Sequence, residues 1–276
     1  MILHLYRLSL SPRKEPTLFD GNDERFKRHS REEHLKLFFG SNLDYYPKKN
    51  SSLKYIATDI EETIITGVIA RQINEVKRSD ADDPFREVEG IEWETANLFL
   101  NIGEDEQVIG VEVNRKISAR SRTIIQDLVR AINDKSPEGS YKIDVFPMHS
   151  GDEFWEKVSD YGGQITSLSF DLVVPNPPDA TSATKEALRN LQEELNLRRV
   201  KETYENPEGL DLQNSFVKGR EKYASSGGGD VKAKSGKETV YDSKDKVRKV
   251  YVDDDFKATG KPRYGLAELF KSVLRR

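Results

Sequence analysis

The sequence predicts an α+β fold: a mixed β-hairpin lobe, an alternating α/β lobe, and a basic β-rich C-terminal segment. Three observations carry this. Between Leu53 and Asn114, β-branched runs come in pairs joined by short charged turns. From Ile117 onward, apolar residues recur at helical spacing between short strand-like runs. After a glycine run near residue 227, three short pieces alternate Val or Tyr with Lys. The 276 residues are enough for more than one core. The expected division is 1–114, 115–198 and 199–276, the last packing back on the body.

Taken in order, residues 3–10 alternate as a strand with Leu8 and Leu10 on one side. A helix is expected over Arg31–Phe39, closed by Gly40 in a left-handed conformation. "LKYIATDI" and "TIITGVIARQI" pair across the turn at Glu61–Glu62, and a charged loop over Lys77–Glu87 follows. "TANLFLNI" and "QVIGVEVN" form a further hairpin through "GEDE". Ile124, Ile125, Leu128, Val129 and Ile132 make a helical stripe, with Ser118 or Ser121 as the cap. "YKIDVFPM" is a strand, and a helix follows with Phe154, Trp155 and Val158 inward, capped by Ser150. "ITSLSFDLVV" ends at a proline turn around Asn176, read as scaffold. The next helix, capped by Asp179, Thr181 or Ser182, puts Ala187, Leu188, Leu191 and Leu195 on one face. A helix over 211–223, flexible "SSGGGD", three strand pieces and an amphipathic helix carrying Leu266, Leu269, Phe270 and Leu274 complete the chain.

With no cysteine, disulfides, thiolate catalysis and cysteine-ligated metals are excluded. The start "MILHLYRLSLSPRK" has no basic region and cleavage site of a signal peptide, and no apolar run reaches the ~20 residues of a spanning helix. The expectation is a soluble cytoplasmic protein without direct membrane insertion. The net charge of −4 hides an asymmetry. Residues 218–276 hold 16 Lys/Arg against 9 Asp/Glu, so the first 217 residues are strongly acidic. Either the basic segment meets a polyanion or it folds back on the acidic body.

The four histidines have no metal-ligand spacing, and Ser150 beside His149 lacks the strand–turn–helix elbow of a hydrolase. No phosphate-cradling loop is present, and no cofactor is implied. A Mg²⁺-dependent nuclease would have to draw on Glu112 or on Asp59, Glu61 and Glu62, all of which also read as solvated charges. The strongest positive signal is "NRKISARSR". Arg115, Lys116, Arg120 and Arg122 precede the Ile124–Ile132 helix, where cations oppose the helix dipole and local folding does not ask for them. A bound phosphate would reconcile the two. Lys232, Lys234, Lys244, Lys246, Arg248 and Lys249 form a second basic set, interleaved with Tyr241 and Tyr251. Such contacts give salt-dependent affinity with little base preference.

The order of segments resembles the RexA-like phage-exclusion family. The matching runs are "LKYIATDIEETIITGVIARQI", "ANLFLNIGEDEQVIGVEVNR", "RTIIQDLVRAI" with "YKIDVFPMHSGD", "ITSLSFDLVVPNPPD" and "VKAKSGKETVYDS". That resemblance implies a homodimeric, non-catalytic double-stranded DNA-binding protein of antiviral defence with little sequence preference. It would clamp or coat DNA and signal to a second defence or membrane effector protein, or obstruct replication. It supplies no DNA-contacting residues. The alternatives are the nuclease effector and an interaction module whose basic tail takes an acidic protein partner.

Overall fold

The computed structural model describes residues 1–13, 29–48, 51–78, 87–103, 107–135, 141–173, 182–195 and 197–252. The proline turn at Asn176, the caps Asp179 and Thr181, part of the "GEDE" turn and the helix through Leu266–Leu274 lie outside these residues. The mixed α+β architecture has two antiparallel sheets.

The first sheet has eight strands and curls into a half-barrel. Next to one edge runs β1 (Ile2–Pro12), flanked on its inner side by β6 (Val108–Glu112). Beyond β6 lie β5 (Glu87–Asn101), β4 (Ile64–Arg78), β3 (Ser51–Glu61) and β2 (Leu43–Lys48). Two strands share the remaining ladder positions of β1: β12 (Lys249–Tyr251) pairs with Ile2–His4, and β7 (Tyr141–Pro147) with Tyr6–Pro12. The second sheet runs β11 (Glu238–Asp242), β10 (Gly229–Ser235), β8 (Ser167–Val173), β9 (Arg199–Glu205). Helices and strands alternate along 115–198, yet β7 joins one sheet and β8 the other, so no parallel βαβ unit forms.

Even positions of β1 explain the first core. Tyr6, Leu8 and Leu10 face the concave side, against the buried stripe of α2 (Ser121–Lys135) and Leu35 and Phe39 of α1 (Arg31–Phe39). Each fully buried aliphatic side chain there contributes about 1.5–3 kcal/mol. Odd positions Leu3 and Leu5 face outward, beneath Met148 and Val252. The second sheet buries Leu168, Phe170 and Leu172 beneath α3 (Gly151–Asp160), α5 (Ser215–Tyr223) and Leu188 of α4 (Ser182–Leu195).

Several local expectations are corrected. Gly40 has φ −82, not a left-handed value; glycine is required because a Cβ would lie 2.4 Å from the Lys36 carbonyl oxygen. Ser121 is the first residue inside α2, and Ser150 sits at the α3 N-cap without a side-chain cap bond. Ala187 and Leu195 are exposed, leaving Leu188 to anchor α4. The charged loop is shorter than expected, because β4 runs to Arg78 and β5 starts at Glu87. The "SSGGGD" run is packed rather than loose: a Cβ at Gly227 would fall 2.4 Å from Arg7 Cβ. Two strands were missed, β2 with its internal Pro47 and the charged β9, whose compositions hide their pairing.

Two buried imidazoles set an acid limit on this fold. His34, packed edge-on to Tyr141, and His149 are each pushed down to about 4, chiefly by burial. Unfolded, both titrate near 6.5. The stability they contribute is therefore complete above that value and is lost as pH falls through about 4. The urea midpoint should drop across this window, and His34→Gln with His149→Gln should flatten the drop.

Candidate nucleic-acid interface

The site is assembled at the N-terminal end of β1, between β12 and β6. His4 lies on the same side of the strand as Tyr6, and both reach Ser121 at the start of α2. His4 Nδ1 is 2.6 Å and the Tyr6 hydroxyl 2.7 Å from Ser121 Oγ. This three-way bond ties the helix start to the strand, between Arg120 and Arg122. Strand β12 then places Lys249 directly opposite His4. Lys249 of the second basic set, more than 120 residues beyond Arg122 in sequence, thus lies on the same side of β1 as the α2 start.

Electrostatic effects report the same proximity. His4 is held below its ordinary pKa by burial and then by the Lys249 charge, so it is neutral at pH 7. The Tyr6 hydroxyl is pushed up to about 12 by burial, an effect opposed by its Ser121 bond and the Arg122 charge. Asp230 on β10 is raised by burial and drawn back by Arg122 and Lys244. This carboxylate stands between the sets, with Lys244 Nζ 3.9 Å away.

The predicted cations divide into matched and unmatched groups. Lys116 pairs with Glu94 beneath an Asn114 turn, Lys232 with Asp242 at 3.0 Å, and Lys246 with Glu153 at 3.3 Å. Among the described residues, Arg115, Arg120, Arg122, Lys234, Arg248 and Lys249 form no ion pair within 4.0 Å. Arg115, Arg120 and Lys249 are exposed; Arg122 is half-buried at the helix start. Lys234 lies with Lys232 on the polar face of the second sheet, beside Ser167 and Ser169 of β8. Arg248 is half-buried, its pKa lowered by burial, and its backbone N–H donates to the Met148 carbonyl at 2.7 Å. Folding back on acidic neighbours therefore accounts for only part of the basic set.

Sequence reasoning missed Tyr6, weighed His4 only as a metal ligand and took Ser121 only as a helix cap. The available signal was a histidine and a tyrosine in register with Leu8 and Leu10, polar groups on an apolar face that need a buried partner. Of the carboxylates weighed for metal chemistry, Glu112 accepts from the Asn97 backbone N–H and side-chain amide at 3.0 and 2.6 Å, and Asp59 accepts from the Ile60 N–H. Among the described residues, no group of three or more His, Cys, Asp or Glu could hold a metal ion, and no helix is long and apolar enough to cross a membrane. His149 Nδ1 lies 3.1 Å from the Tyr241 hydroxyl, a buried structural contact.

Residues 86–263, well over half the chain, match the family described as "Domain of unknown function (DUF4747)". The chain belongs to the DUF4747 family. The matched span takes in β12, α2 and both basic sets, whereas β1, which joins them, precedes it. The DUF4747 description assigns no activity. No curated protein and no solved structure matches the chain.

Proposed function

We propose that this DUF4747 protein is a non-catalytic, largely sequence-independent double-stranded DNA-binding protein of antiphage defence, acting in the cytoplasm in the manner of the RexA-like phage-exclusion family. The observation that carries the reading is the placement of Lys249 opposite His4, whose bond to Ser121 holds the Arg120–Arg122 helix start on the same side of β1. Among the described residues none of the three forms an ion pair within 4.0 Å, although Arg122 acts on the buried Asp230, and Arg120 and Arg122 stand at the start of a 15-residue helix. A phosphate there takes guanidinium and ammonium donors together with free N–H groups of the helix's first turn. It relieves the repulsion between the cations and the helix dipole, which is unfavourable by about 0.3–1 kcal/mol per charge.

Phosphate contacts made by Arg and Lys position a protein without reading bases, so the arrangement favours backbone binding over sequence readout. The RexA-like order of segments adds homodimer formation and a second defence or membrane effector protein to the proposal. Titration with two duplexes of unrelated sequence tests the reading. Comparable affinity on both supports it, and no binding to either rejects it.

A further inference from the structure

Helix α2 lies along β1 and stops short of its first residues. Ser121 at the helix start bonds to His4 and Tyr6. Asn133, in the last turn, bonds to the backbone of Ile143, the β7 partner of Leu10. The cross-strand row before His4 therefore projects beyond the helix start. That row is apolar. Tyr251 of β12 pairs with Ile2, and Val113 follows β6 opposite Ile2, its N–H donating to the Ile2 carbonyl at 3.0 Å. Farther along the same face Tyr6, Leu8 and Leu10 are buried, whereas Tyr251 is 74% and Ile2 39% exposed.

Exposure alone does not set Tyr251 apart. Tyr46 of β2, at the opposite edge of the sheet, is 73% exposed. The difference lies in the surrounding charge. Lys249 stands on the same face of β12, two residues and about 7 Å along the strand from Tyr251. Arg120 is exposed just before the α2 start, and exposed Arg115 follows Val113 by two residues. Among the described residues, none of these three cations forms an ion pair within 4.0 Å.

Phosphates would satisfy the cations and leave the apolar row uncovered. In an uninterrupted duplex the base faces are stacked on one another and offer an aromatic ring nothing to cover it. An unpaired base has a free π-face and carries its phosphate within about the spacing of Tyr251 and Lys249. Stacking of this kind is tolerant of sequence, because every base has such a face.

Building on the DNA-binding reading, we propose that Tyr251, with Ile2 beside it, is a stacking platform for one unpaired nucleobase whose neighbouring phosphates lie on Lys249 and Arg120. The preferred ligand is duplex DNA that ends in, or opens into, a short single strand.

Fluorescence anisotropy with duplexes that differ at one end tests the platform. One is blunt, one carries a short thymine tail, and one carries an abasic tail with the same phosphates and no bases. The wild-type chain is expected to bind the thymine tail about 10-fold more tightly than the abasic tail, the fold-change of one stacked base. Tyr251→Ala should bring the two tails to equal affinity, and Tyr251→Phe should restore the difference. Tyr46→Ala should leave it unchanged. A wild-type chain that does not distinguish the tails, or a preference that survives in Tyr251→Ala, overturns the platform. A thymine preference that needs Tyr251, with no affinity for the blunt duplex, keeps the platform and removes the duplex reading. Affinity for the blunt duplex with no tail preference does the reverse, and binding to none of the three overturns both.

Discussion

Replacing Arg120, Arg122 and Lys249 together by alanine is expected to lower duplex DNA affinity about 100- to 1,000-fold. Each phosphate contact of this kind is worth roughly 1–1.5 kcal/mol, and three give about 3–4 kcal/mol. The loss should be the same on unrelated sequences, and the dependence of log affinity on log salt should flatten by about 3. Lys246→Ala is the internal comparison: its ammonium already lies 3.3 Å from Glu153, so its loss should cost less than about threefold. Fluorescence anisotropy at fixed salt measures both. If Lys246→Ala weakens binding as much as the triple variant, the contact surface lies on the loop after β11 and not at the α2 start. If the triple variant binds some sequences normally and others poorly, base readout replaces backbone contact.

The largest stability effect is expected at Gly229, where the glycine-rich segment enters β10. Its φ of 151 is one that side-chain-bearing residues rarely adopt, and a Cβ would sit 2.3 Å from the Asp171 carbonyl oxygen and 2.9 Å from Leu172 Cα. Both obstacles are backbone atoms of β8, so relief requires opening the β8–β10 ladder at Gly229↔Leu172. Gly229→Ala should therefore cost more than about 3 kcal/mol and lower the melting temperature by roughly 6–12 °C. Gly236→Ala controls for the left-handed conformation alone: its φ is 55 with nothing within 4 Å of a Cβ, so the cost should be about 1–2 kcal/mol. Thermal unfolding followed by circular dichroism distinguishes the two. Equal losses would mean that the crowding at β8 is relieved by local adjustment.

Much of the secondary structure was legible because single elements carry their own pattern. The α2 stripe from Ile124 to Ile132 is buried as its spacing requires, and the β3–β4 hairpin turn falls one residue beyond the expected Glu61–Glu62, at Glu62–Thr63. Pairing between distant segments was not legible. Nothing in "VRKVY" says that it docks on residues 2–4, or that β7 leaves the helices around it to join β1. Charged β9 was overlooked because an edge strand with one solvated face lacks the apolar run that marks a buried one. The site shows the same division. The cations were visible as clusters, but their placement depends on the β1–β12 ladder and on a serine, a histidine and a tyrosine whose mutual bond the sequence does not show. Matched and unmatched lysines likewise differ only by which carboxylate the fold brings alongside, as Asp242 meets Lys232 across β10 and β11.

The central claim is that the cations gathered at the α2 start bind duplex phosphates without reading sequence. Equilibrium titration of the wild-type chain with two unrelated DNA duplexes, across a series of salt concentrations, tests it most directly. The account predicts similar affinities on both duplexes and a linear fall of log affinity with log salt, of slope about −3 or steeper. Absence of binding, or an affinity that salt does not change, would contradict it.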